Sequence, residues 1–176
     1  ERRVLGDLGL TFDTNAAKAV LYMPDSEGRY WEEHSIVDYV QFVKTTTVTF
    51  RLEEFAHRFP LRFDPCQGSG LVIIRSITVF DLLHDRVVLQ FDGCDANKFV
   101  ISGTAVRESS AFSRINGWRQ GFFNSNKSNW LLDLRVISTG IDPQLFFPVL
   151  PKDIGFPLEI SVEMKFVPSQ FLDLLK

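Results

Sequence analysis

The chain has 176 residues, 45% hydrophobic and 23% charged, with a formal net charge of −3. That length suits one domain that buries about two thirds of the surface its unfolded form exposes, and that balance argues against disorder. Lys and Arg are scattered among Asp and Glu, which argues against nucleic acid as a partner. No apolar run reaches the roughly 18 residues of a spanning helix.

Taken in chain order, the first segments that read as strands are Leu8–Asp13, Ala19–Met23 and Ile36–Val43, with Tyr30 and Trp31 in a loop rich in Asp, Glu and Gly. Thr45–Leu52 carries the first strong signal. Thr46, Val48, Phe50 and Leu52 alternate with Thr45, Thr47, Thr49 and Arg51, which gives one apolar and one polar face at period two. Leu52–Phe59 is read as about one helical turn. Leu61-Arg62-Phe63-Asp64-Pro65 then places an Asp-Pro turn ahead of Leu71-Val72-Ile73-Ile74, a run apolar on both faces, as expected of a covered central strand. Leu71–Asp81 and Arg86–Asp92 form a hairpin across Leu82–Arg86, with Val87, Leu89 and Phe91 facing away from Gln90 and Asp92. Lys98–Ser102 is a further strand.

Ser109–Trp130 is long, polar and aromatic at once. Trp130–Ser138 alternates again, with Trp130, Leu132, Leu134 and Val136 opposing Asp133 and Arg135. Ile141-Asp142-Pro143-Gln144-Leu145 echoes the earlier Asp-Pro turn, and Asp64 and Asp142 are both read as turn formers. Leu145–Phe147 is a short strand. Leu158–Phe166 alternates throughout, and Pro168–Leu175 reads as a helix with Pro in its first turn.

Many antiparallel strands with Gly and Pro in the turns define an all-β chain, expected as a jelly-roll-like antiparallel β-sandwich over residues 1–167. Residues 168–176 form a short C-terminal helical tail or the start of a linker. The 17 Phe residues suit a core filled from two inner faces.

Catalytic signatures are lacking. His34, His57 and His84 are far apart, and Glu32-Glu33-His34 in a strand would point its side chains to alternate faces, so no metal site is expected. Cys66 and Cys94 stand outside any Cys/His cluster and are read as reduced thiols, Cys66 exposed in a turn without an activating base. No phosphate-cradling Gly-rich motif and no alternating βα pattern supports a nucleotide-type cofactor, so none is expected.

Two readings of the aromatic segments stand side by side, a cap on the open end of the sandwich by Trp118, Phe122 and Phe123, and ligand binding. Sugar recognition combines aromatic faces with planar polar groups that satisfy hydroxyls costly to leave unpaired. Trp118, Arg119, Asn124 and Asn126 supply both kinds of group in the long loop, and Tyr30 and Trp31 supply a second aromatic pair.

The order Phe12-Asp13, Tyr30-Trp31-Glu32-Glu33-His34-Ser35, Val48-Thr49-Phe50-Arg51-Leu52, Leu61-Arg62-Phe63-Asp64-Pro65, Ile73-Ile74-Arg75-Ser76-Ile77 and the late Asp142-Pro143-Gln144 covers nearly the whole chain. It resembles the β-rich accessory region of bacterial glycosyltransferases and methyltransferases of surface-polysaccharide synthesis, of the O-antigen or rhamnan type. The resemblance implies a noncatalytic role near cell-envelope glycans, with a glycan or an adjacent catalytic domain as partner. Glu1–Asp7 lacks the apolar core of an export signal, so the expected location is cytoplasmic, peripheral to the inner membrane through partners. Two other readings stand beside it. A structural module could form a homo-oligomer through the apolar tail Phe171–Leu175, and a small jelly-roll hydrolase or isomerase could gather its acid residues in a cavity.

Overall fold

A computed structural model describes residues 16–55, 58–92, 98–107 and 134–170. Among them nine strands follow one another, β1 Ala16–Pro24, β2 Tyr30–Gln41, β3 Thr45–Leu52, β4 Arg62–Asp64, β5 Gly70–Asp81, β6 Arg86–Asp92, β7 Val100–Arg107, β8 Leu134–Phe146 and β9 Leu158–Pro168. All pairings between strands are antiparallel, in the order β2-β1-β4-β8-β5-β9-β3, with β6 on β5 and β7 on β8.

The two ends of that order are consecutive in the chain and meet. The Thr49 N–H donates to Asp38 Oδ2 at 3.0 Å, the Gln41 N–H to Thr46 Oγ1 at 3.3 Å, and the Val43 N–H to the Phe166 carbonyl at 2.8 Å. The sheet thus curls almost into a barrel. Its long strands β5 and β8 change partners along their length, as strands do where a sheet turns a corner. β8 runs beside β5 over Leu134–Ser138 and beside β4 at Leu145 and Phe146.

Alternation of side chains fills the interior. In β3, Val48, Phe50 and Leu52 are buried while Thr45, Thr47, Thr49 and Arg51 are exposed, and in β9 Leu158, Ile160, Val162, Met164 and Phe166 are all buried. Phe rings cross the core edge to face. Phe50 meets Phe63 at 5.9 Å, Phe63 meets Phe147 at 6.2 Å, Phe147 meets Phe99 at 5.4 Å and Phe99 meets Phe91 at 4.6 Å. Each contact is worth about 0.5–1.5 kcal/mol beyond the area it buries. β5 is apolar on both faces as expected: Val72 and Ile74 join the main core, while Leu71 and Ile73 join Val167 in a second, smaller cluster.

Several expectations need correction. Ile141–Leu145 is no chain reversal; Asp142 and Pro143 lie within β8, which bulges against β7 over residues 139–142. Proline is tolerated because β8 between its β5 and β4 contacts has a partner on one side only, where Gly103 of β7 stands opposite Pro143. Val87 is half exposed, because a bulge at Val79/Phe80 pairs Phe80 with Val87 and shifts which side chains face the core. Tyr30 and Trp31 open β2, outside any loop. Leu52 ends β3, and residues 53–55 are irregular, not helical. Pro168 still belongs to β9, Ser169 and Gln170 after it are helical, and the remainder of the expected C-terminal helix, residues 171–175, lies outside the described residues. Leu8–Asp13 and the first four residues of Trp130–Ser138 lie outside them too. No helix among the described residues is long and apolar enough to cross a membrane.

Candidate functional site

β4 has three residues, and their alternation explains the site. Phe63 points into the core, so Arg62 and Asp64 share the opposite face. Tyr22 of β1 and Phe146 of β8 are the cross-strand partners of Arg62, so they flank it on that face.

Arg62 organises the cluster. Its Nε–H donates to Asp64 Oδ1 at 2.8 Å and its Nη2 to Asp64 Oδ2 at 2.6 Å, a bidentate pairing. The same Nη2 donates to Asp142 Oδ1 at 2.5 Å. Gln144 Nε2 donates to Asp142 Oδ2 at 2.6 Å. The guanidinium lies 4.8 Å from the centre of the Tyr22 ring. Tyr30 stands beside Phe146, ring to ring at 5.7 Å, and its hydroxyl donates to the Pro60 carbonyl at 2.7 Å. Two carboxylates, a guanidinium, an amide and three rings therefore meet on one sheet face.

Burial and charge act against each other here. Burial raises the Asp64 carboxyl above its ordinary value, with Arg62 pulling it down and Asp142 adding to the rise. Burial lowers Arg62, but the hydrogen bonds and charges of Asp64 and Asp142 outweigh it and hold the guanidinium more firmly protonated. Tyr22 is raised by burial and then by Asp64, against Arg62.

The position of Asp142 is set by a bulge of β8 against β7, where Thr104 alone stands across from residues 139–142. Gly103 has φ +66°, and a Cβ there would stand 2.2 Å from the Asp142 carbonyl oxygen. The Asp142 N–H donates to Thr104 Oγ1 at 3.1 Å. The pairing shifts register between Gly103 and Ala105, and such bulges re-aim side chains.

Of the expected ligand contacts, Trp118, Arg119, Asn124 and Asn126 lie outside the described residues. Tyr30 joins the Arg62 cluster and Trp31 does not. The Trp31 indole N–H donates to Asp25 Oδ2 at 3.0 Å, and the Arg29 guanidinium lies 5.6 Å from its ring centre. Asp25 Oδ1 also accepts the N–H groups of Glu27 and Arg29. Gly28, at φ +82°, completes this turn with Phe59 packed where a Cβ would be. Trp31 therefore stiffens a turn while keeping 47% of its surface exposed.

Two further expectations change. Cys66 is buried, not exposed; burial pushes its thiol up to about 12, which makes it inert as a nucleophile. Asp64 and Asp142 are strand residues on a shared cation, not turn formers. One signal in the sequence hinted at this: at period two, Arg62 and Asp64 must share a face. Their partner Asp142, 80 residues from Arg62, could be found only from the strand order.

A second polar cluster has a structural explanation. Asp81 is fully buried; its Oδ2 accepts from the Gly155 N–H at 2.7 Å and contacts His84 Nδ1 at 2.8 Å, and its Oδ1 accepts the His84 N–H at 3.0 Å. Both oxygens are spent on tying the β5–β6 turn to the segment before β9. Among the described residues no group of His, Cys, Asp and Glu is placed to hold a metal ion.

No family model matches the chain, nor does any curated protein or any solved structure.

Proposed function

We propose that this chain is a noncatalytic carbohydrate-recognition module of jelly-roll type, acting beside a transferase in cell-envelope glycan assembly. The observation that carries the reading is the Tyr22–Arg62–Asp64–Asp142–Gln144–Tyr30 constellation on one sheet face. Its planar polar groups hold one another in place, so hydroxyls can be met without much loss of side-chain entropy. Its rings lie beside them, as stacking on the C–H face of a pyranose requires. Cross-strand neighbours extend the polar surface, with Ser35 opposite Tyr22 and Ser102 opposite Gln144. The connection to envelope transferases rests on the family resemblance of the sequence.

The same geometry disfavours hydrolysis. Glycosidases leave a gap of about 5–9 Å between their two carboxyl groups for the sugar bond and water. Here the Arg62 Nη2 stands between Asp64 and Asp142 and bonds both.

The test is titration of the chain with fragments of the producing cell's surface polysaccharide, followed by amide NMR shifts. The expected result is saturable shifts around Tyr22, Arg62 and Gln144, weakened at least tenfold in Tyr22→Ala and Gln144→Ala variants that remain folded. No shift at millimolar ligand overturns the reading.

A further inference from the structure

An arginine on a sugar-binding face ordinarily suggests an acidic sugar, because a guanidinium fits a carboxylate or sulfate bidentately. Arg62 has no free two-point edge for that, because both edges of its fork include Nε or Nη2 and only Nη1 is left. Asp64 takes its Nε and Nη2 in a two-point pairing, and Asp142 takes Nη2 a second time. Two carboxylates against one guanidinium leave this centre net negative. The outer member, Asp142, is the exposed one, with 48% of its side chain open against 8% for Asp64. Whatever approaches therefore meets a carboxylate first.

The surroundings add to this sign. Glu32 lies close enough for its charge to act on Tyr22. The nearest cation on the same face of β1 is Lys18, four residues before Tyr22 and so about 13 Å along the strand, exposed and opposite Tyr39. That is beyond a Debye length of about 8–10 Å at ordinary salt.

Resting on the proposed function, we infer that this face takes neutral or amino-bearing sugars and rejects uronate, sulfated and phosphorylated ones. Asp142 and Gln144 meet hydroxyls or an ammonium group, while an anionic substituent is repelled by Asp142 and, among the described residues at the centre, finds no guanidinium edge open for a two-point pairing.

The test uses matched oligosaccharides of one hexose series in three forms, neutral, 2-amino and uronate, titrated at pH 7 and low salt with NMR readout. Neutral and amino forms are expected to bind, the uronate at least tenfold more weakly than the neutral. The amino form should lose affinity as salt is raised and the neutral form should not. Asp142→Asn should bring the uronate closer to the neutral sugar; should that variant fail to fold, the salt series on the unaltered chain decides. A uronate bound as tightly as the neutral sugar overturns this inference and leaves the proposed function standing. No binding of any form, in this or the gluco, galacto and manno series alike, overturns both.

Discussion

Arg62 holds two carboxylates of unequal exposure, and exposure decides what each contributes to stability. Asp64 has 8% of its side chain open and makes the two-point contact, so removing it leaves a largely buried guanidinium with only the half-exposed Asp142 as its ion partner. Breaking such a pair costs about 3–5 kcal/mol. Asp142 is half exposed, and solvent screening reduces a pair of that kind to about 0–1 kcal/mol. Asp64→Ala should therefore lower the unfolding free energy several times more than Asp142→Ala. Urea unfolding of the two variants checks this, and equal losses would contradict the assignment of Asp64 as the anchor and Asp142 as the outward-facing group.

At the scale of elements, what was legible followed from local periodicity. The alternation in β3 and β9 could be read because every other residue there faces one core, and the two-faced run Leu71–Ile74 because β5 is covered on both sides. Illegible features depended on partners far along the chain. Asp-Pro reads locally as a turn, yet Pro143 sits inside β8, since the side of β8 that lacks a partner there is defined by where β5 ends and β4 begins. The face of Val87 was lost to a one-residue bulge, which no alternation rule anticipates. The candidate site was hidden for the same reason. Only Tyr30 was identified as a contact residue beforehand, while Arg62, Tyr22 and Gln144 acquire meaning from adjacency of β1, β4 and β8.

The bulge of β8 against β7 links element to site. With its positive φ and a Cβ position 2.2 Å from the Asp142 carbonyl oxygen, Gly103 allows β7 to lie against β8 while Asp142 reaches Arg62. Gly103→Ala should push the strands apart at this point, costing about 1–3 kcal/mol for the strained backbone and shifting the Asp142 and Gln144 amide resonances. A variant with unaltered stability and shifts would show that the bulge does not position Asp142.

At the scale of the whole molecule, four carboxylates among the described residues carry a resolved shift and bias the response to acid. The Arg29 N–H, then the Trp31 indole, hold Asp25 well below the usual carboxylate range. Burial acts to raise Asp81, but the Gly155 N–H and the His84 ring and N–H outweigh it and hold it low as well. The Arg86 side chain lowers Asp153. A carboxyl lowered in the folded state favours folding above its unfolded pKa, about 3.9, and that contribution is lost as the pH falls through this value towards the folded one. Asp64 has the opposite sign. Its raised folded pKa favours folding in acid, and the contribution fades as the pH rises above about 3.9. Three lowered groups against one raised group make the described fold acid-labile, so the urea midpoint should fall as the pH drops from about 4 towards 2. Asp81 is the buried member of the three, tying the β5–β6 turn to the segment before β9. Asp81→Asn should therefore be less stable at neutral pH and lose less of its remaining stability on acidification. Urea midpoints for both proteins across that window decide the matter, because curves that stay parallel would mean that Asp81 has no part in the acid response.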